Sequence, residues 1–159
     1  KKYIHYGNST FHPELVYREV GSIWSKPSKG LWASPINAKL GWVDWCYAEE
    51  FDDAYLEEYF VFTLKSDAKI LEVRVEEDIL PYVIPQDEHL KFLSHPQPSG
   101  RTSLWDKLDC EKLYLEFDGI ELFLSDNYLL HDGIFNSWDC DSIVIWNPDV
   151  IELVSERKE

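Results

Sequence analysis

Three tryptophans, Trp32, Trp42 and Trp45, fall within fourteen residues just behind the turn Lys26-Pro27-Ser28-Lys29-Gly30. Flat amphipathic indoles at such density suit the wall of a ligand groove as well as a hydrophobic core. Upstream stands Ile4-His5-Tyr6-Gly7-Asn8, and downstream Trp138-Asp139-Cys140-Asp141-Ser142-Ile143-Val144-Ile145-Trp146-Asn147. The two flanks add an imidazole and two carboxylates, which can hydrogen-bond a ligand or stand against its charge. Taken singly, each residue also has a structural reading. The tryptophans read as core, His5 as a surface or satisfied core histidine, and Asp139 and Asp141 as turn residues ahead of a strand.

The elements that must position these residues follow from patterning. Lys2 to Tyr6 reads as a short strand ending at Gly7, and residues 8–29 as a long shaped loop with a turn of helix near Pro13–Tyr17. Leu31–Ser34 is a strand, and Trp42–Phe51 a helix with Val43, Cys46, Tyr47 and Glu50 at helical spacing. Glu58–Leu64 and Lys69–Val75, separated by Ser66-Asp67, read as an antiparallel pair. Glu76–Val83 reads as a short helix stopped by Pro85. Residues 85–103 form a loop excursion, and Leu104–Phe117 contains a helix. Gly119–Leu124 is a strand, Asn127–Ile134 a connection with helical turns, Ser142–Trp146 a buried strand and Val150–Val154 a last one. Short strands mixed with helices, in no βαβ rhythm, indicate an α+β fold within a single domain spanning residues 1–159.

Charge is the strongest compositional fact. Thirty acidic residues against fifteen basic ones give a net charge of −15, and no basic stripe stands ready to neutralise phosphates, which disfavours a nucleic-acid partner. No apolar run approaches the roughly 20 residues that cross a bilayer. Cys46, Cys110 and Cys140 show neither CxxC nor Cys/His spacing, so neither a disulfide framework nor a metal site is expected. With no secretory leader in evidence, the expected setting is cytoplasmic. GxGxxG and the Walker pattern are both missing.

In their order along the chain, the IHYGN strand, KGLWAS with WVDWCYAEEF, and DSIVIWNPDVIEL resemble the ADP-ribosyltransferase superfamily, within it the diphtheria-toxin and poly-ADP-ribose polymerase branch. The resemblance implies an α+β fold of two packed, mostly antiparallel sheets with flanking helices around an NAD cleft. It implies an enzyme, an NAD-dependent (mono-)ADP-ribosyltransferase acting on a protein or other macromolecular acceptor, of the kind found as bacterial or phage toxins and effectors. Carried over by position, His5 looks like the residue that hydrogen-bonds the adenosine ribose of NAD, with Tyr6 beside it in the cofactor site, and Gly7 like the glycine whose backbone anchors the nicotinamide amide. Trp32 and Trp45 look like the two aromatics that sandwich the nicotinamide ring, with Ser34 completing the wall. Asp141 stands where the family places its catalytic acid, and Asp139 two residues earlier, where arginine-modifying members put a second one.

The chemistry implied is consistent with those residue types. Breaking the nicotinamide–ribose bond develops oxocarbenium character, which a carboxylate beside the ribose stabilises. Flat aromatic faces hold a cationic ring by stacking and cation–π attraction, worth roughly 0.5–2 kcal/mol per face. Two departures from the family stand out: the acid is Asp instead of Glu, one methylene shorter, and tryptophan replaces tyrosine at both sandwich positions. The alternative is therefore a module of the same fold that binds NAD, an ADP-ribose-like ligand or a protein partner without chemistry.

Overall fold

The computed structural model of the chain describes residues 1–17, 25–49, 54–85, 102–103 and 106–155. In chain order these form β1 (Tyr3–Tyr6), α1 (Pro13–Val16), β2 (Leu31–Pro35), α2 (Trp42–Ala48), β3 (Tyr59–Leu64) and β4 (Ile70–Val73). There follow β5 (Val83–Ile84), β6 (Lys107–Leu108), α3 (Cys110–Glu116), β7 (Gly119–Leu122), β8 (Ser142–Ile145) and β9 (Ile151–Ser155). The fold class is α+β, as the patterning indicates. The excursion expected over 85–103 lies largely outside the described residues. The helix expected to reach Phe51 ends at Ala48 with Glu49 as its C-cap, and residues 50–51 lie outside the described residues.

Seven strands form one sheet in the order β4-β7-β8-β2-β1-β3-β9, and β5 pairs with β6 apart from it. Every neighbour pair in the large sheet is antiparallel except β4–β7. The expected pairing of β3 with β4 is not formed. β3 lies between β1 and β9, while β4 runs parallel to β7 at the far edge. The turn over Lys65–Ala68 does close, with the Ala68 amide donating to the Lys65 carbonyl. The chain then leaves it toward Asp118, whose carboxylate takes the Lys69 amide at 2.8 Å. Since residues 65–69 span opposite ends of the strand order, the sheet curls until those ends approach. One curled sheet therefore stands where two separate sheets were expected.

Strand β8 is the hinge of this packing. Ile143 and Ile145 point to one face and meet Tyr3, Phe60 and Phe62 from β1 and β3. Val144 and Trp146 point to the other and join Leu113, Ile120, Leu122, Phe135 and Trp138. Ile143, Val144 and Ile145 have no exposed surface, so each contributes about 2 kcal/mol of apolar burial.

Local chemistry shapes the helices. The Asp44 carboxylate accepts the Gly41 amide at the start of α2, and Asp109 caps α3 by accepting the Lys112 amide. The expected helix over Glu76–Val83 is instead two 3₁₀ turns, Glu76–Asp78 and Leu80–Tyr82. Pro81 offers no amide with which to continue an α-helical ladder. The buried Glu121 carboxylate is satisfied by the Tyr3 hydroxyl at 2.6 Å and the Lys1 ammonium at 2.5 Å. Burial, reinforced by that carboxylate, holds the Tyr3 phenol well above its ordinary range. On the outer edge β9 pairs, among the described residues, with β3 alone, and Leu153 and Val154 stand exposed there.

The chain enters β2 through Gly30 at φ +131°, where a Cβ would lie 2.6 Å from Val144 Cγ1 and 3.1 Å from the Ile145 carbonyl oxygen. Neither neighbour can retreat within a strand buried on both faces. Gly30→Ala is therefore expected to destabilise the fold by roughly 2–4 kcal/mol, measured as a lowered midpoint in urea.

Candidate functional site

A cavity of about 330 Å³ opens on the face of the sheet where β1, β2 and the start of β8 meet α2. It is lined by His5, Tyr6, Trp32, Ser34 and Asp139 among others, which brings together five of the eight residues marked in the sequence. The antiparallel pairing of β1 with β2, Ile4 opposite Ser34, places the first and second motifs side by side. The pairing of β2 with β8, Trp32 opposite Val144, brings up the third.

Hydrogen bonds fix the wall. The His5 Nδ1–H donates to the Trp32 carbonyl at 2.6 Å. Burial holds the imidazole below its ordinary value, only partly opposed by that bond, so the ring is neutral and its lone pair sits on Nε2. Burial, followed by the neighbouring Tyr59, Tyr47 and Asp44, pushes the Tyr6 phenol up to about 12. The Ser34 hydroxyl donates to the Asp141 carbonyl at 2.9 Å and accepts the Trp42 amide at 3.1 Å. It thus ties β2 to both α2 and the chain ahead of β8. Trp32 packs on Trp138 at 4.8 Å between ring centroids, and the Trp138 Nε1–H donates to the Ser25 carbonyl.

Three marked residues lie elsewhere. Asp141 does not line this cavity. Its carboxylate accepts the Ser125 amide at 2.7 Å and the Ser125 hydroxyl at 2.5 Å, and it borders a separate cavity of about 230 Å³ with Lys1, Lys39 and Glu121. The reason is strand alternation: Ser142, next along the chain, takes the cavity face, so Asp141 is turned from it. Trp45 also stands back from the cavity. It stacks on Trp42 at 5.0 Å with an interplanar angle of 12°, and Trp42 is the indole of α2 that reaches the lining. Gly7 has φ +111° and donates its amide to the Glu58 carbonyl at 2.8 Å. That N–H is committed to the end of β1 and not to a ligand.

The lining also includes Trp42, one of the three clustered tryptophans, and Lys26, Cys140 and Ser142, which were given no binding role from sequence. Lys26 heads the turn before β2, and the alternation of β8 was the one available signal for Ser142. Burial pushes the Cys140 thiol up to about 11, so it is an uncharged thiol and not a nucleophile.

Compared with known proteins, the chain matches no family model, no curated protein and no solved structure. Among the described residues no helix is long and apolar enough to cross a membrane.

Two expectations follow from this geometry. Asp141→Ala strips the Ser125 amide of its acceptor in a buried place and is expected to cost about 1–3 kcal/mol in chemical denaturation. Ligand binding to the cavity lined by Asp139 should not change in the folded variant, as checked by titration calorimetry. His5 has a depressed value when folded, so the unfolded chain takes the proton first as pH falls. Its contribution to stability is fully present above about pH 6.5 and is lost as pH drops below that. Thermal melts should show this slope in the wild type and a flatter one in His5→Asn.

Proposed function

We propose that the chain is an NAD-dependent ADP-ribosyltransferase, with the cavity as its nicotinamide site and Asp139 as the carboxylate that acts on the substrate. The observation that carries this reading is the convergence of His5, Tyr6, Trp32, Ser34 and Asp139 on one cavity. These residues come from distant parts of the chain, and they belong to, or for Asp139 stand two residues ahead of, the short motifs that carry the family resemblance. A volume of about 330 Å³ lies within the range of small-molecule sites. A second cavity of about 190 Å³ has His5 and Trp32 in its lining as well.

In this reading the indoles of Trp32 and Trp42 supply flat faces to a cationic ring. The Nε2 lone pair of neutral His5 accepts a hydrogen bond from a ribose hydroxyl. The glycosidic electron pair leaves on the nicotinamide nitrogen, and a lone pair of the acceptor forms the new bond to the ribose carbon as the acceptor loses its proton. The Asp139 carboxylate stabilises positive charge while it develops on the ribose. The net charge of −15 favours a protein acceptor over nucleic acid.

A second reading has one specific observation behind it. Asp141, at the position of the family's catalytic acid, is turned away and engaged by Ser125. That favours a module that holds NAD or an ADP-ribose-like ligand without cleaving it.

One experiment separates the two. The protein is incubated with NAD and candidate acceptor proteins, and nicotinamide release is followed by chromatography alongside transfer of labelled ADP-ribose. On the transferase reading Asp139→Asn lowers release by about 10²-fold or more, while Asp141→Asn, once folded, retains it. Calorimetric binding of NAD with no nicotinamide release from the wild type would establish the binding module instead.

A further inference from the structure

Two opposite charges face the cavity without meeting. Lys26 and Asp139 both line it, yet no ion pair joins them, and among the described residues neither is paired with a group of opposite charge. Other lysines of the described residues, Lys29, Lys39 and Lys112 among them, also stand outside any ion pair, so what sets Lys26 apart is its place on the cavity wall.

What Lys26 does touch is the ring of Trp32, with its ammonium 5.6 Å from the centroid. An indole face steadies a cation without neutralising it, so the full charge stays available to a third group. The backbone that carries Lys26 is clamped on both sides. On one, the Ser25 carbonyl takes the Trp138 Nε1–H at 2.7 Å and the Ser25 hydroxyl bonds that of Ser137 at 2.7 Å. On the other, the Ser28 amide donates to the Tyr114 hydroxyl at 3.2 Å. Nearby Lys29 lies over the ring of Tyr114 instead, 4.5 Å from its centroid, and does not line the cavity. The two lysines of one turn therefore have different surroundings, and only Lys26 can reach a ligand there.

We propose that Lys26 is the anion anchor of the site and takes a phosphate of the ligand whose ring lies against Trp32, while Asp139 faces the ligand's cationic part. The site thereby selects a nucleotide over the corresponding nucleoside. A lysine ammonium is a compact point charge, suited to a phosphate oxygen at any of several angles. The inference rests on the nicotinamide-nucleotide reading of the cavity and adds to it the residue that reads the phosphate.

The test uses the full chain and two probes that differ by one phosphate, nicotinamide riboside and nicotinamide mononucleotide, titrated by quenching of tryptophan fluorescence. The wild type should bind the mononucleotide about tenfold more tightly than the riboside, and the margin should shrink as salt is raised. Lys26→Ala should remove most of that margin while leaving riboside affinity in place. Lys26→Arg should restore it, and Lys29→Ala should behave as wild type. A margin that survives Lys26→Ala, or its absence from the wild type, would overturn the role of Lys26 and leave the reading of the cavity standing. Failure of the wild type to bind either probe would remove both.

Discussion

Burial of β8 on both faces is the constraint from which the remaining structure follows. A strand with solvent on one side can slip by a residue and merely exchange which side chains are wet. Ile143 and Ile145 fill one core while Val144 and Trp146 fill the other, so a slip would empty both at once. The register is thereby fixed, and with it the orientation of every side chain at the strand's beginning. Ser142 is held to the cavity and Asp141 to the opposite side by packing several residues away. Gly30 belongs to the same constraint, because β2 can approach Val144 so closely only where no side chain intervenes.

The cavity inherits this rigidity through a short chain of hydrogen bonds. His5 is tied to the backbone of β2 and Ser34 to the backbone ahead of β8, while α2 is tied to Ser34 through the amide of Trp42. β1, β2, α2 and the approach to β8 are thus locked together through His5 and Ser34, which themselves line the cavity. Such support keeps a site in one geometry.

Much of this was legible in the residues, and the misses have identifiable causes. Strand and helix positions follow local periodicity, so β1, β2, α2, β8 and β9 fall close to where patterning puts them. Strand partners do not follow from it. Ser66-Asp67 looks like a hairpin turn and is a turn, yet the two strands beside it lie far apart in the curled sheet, β4 at one edge and β3 next to the other. The exchange of Trp45 for Trp42 is a question of helix phase, set by where α2 docks on Ser34. The difference between Asp139 and Asp141 is finer still. Residues two apart share a face inside a strand, but Asp139 lies three residues ahead of β8 and does not keep the alternation that sets Asp141 opposite Ser142.

The outer edge of β9 carries a further implication. Among the described residues β9 has no partner strand other than β3, and Leu153 and Val154 stand exposed beside it; an edge of this kind is a template on which a further strand can add. At neutral pH a net charge of −15 keeps copies of the chain apart. That mutual repulsion fades as the medium approaches the isoelectric point near 4.6, so acid removes the charge barrier that guards this edge.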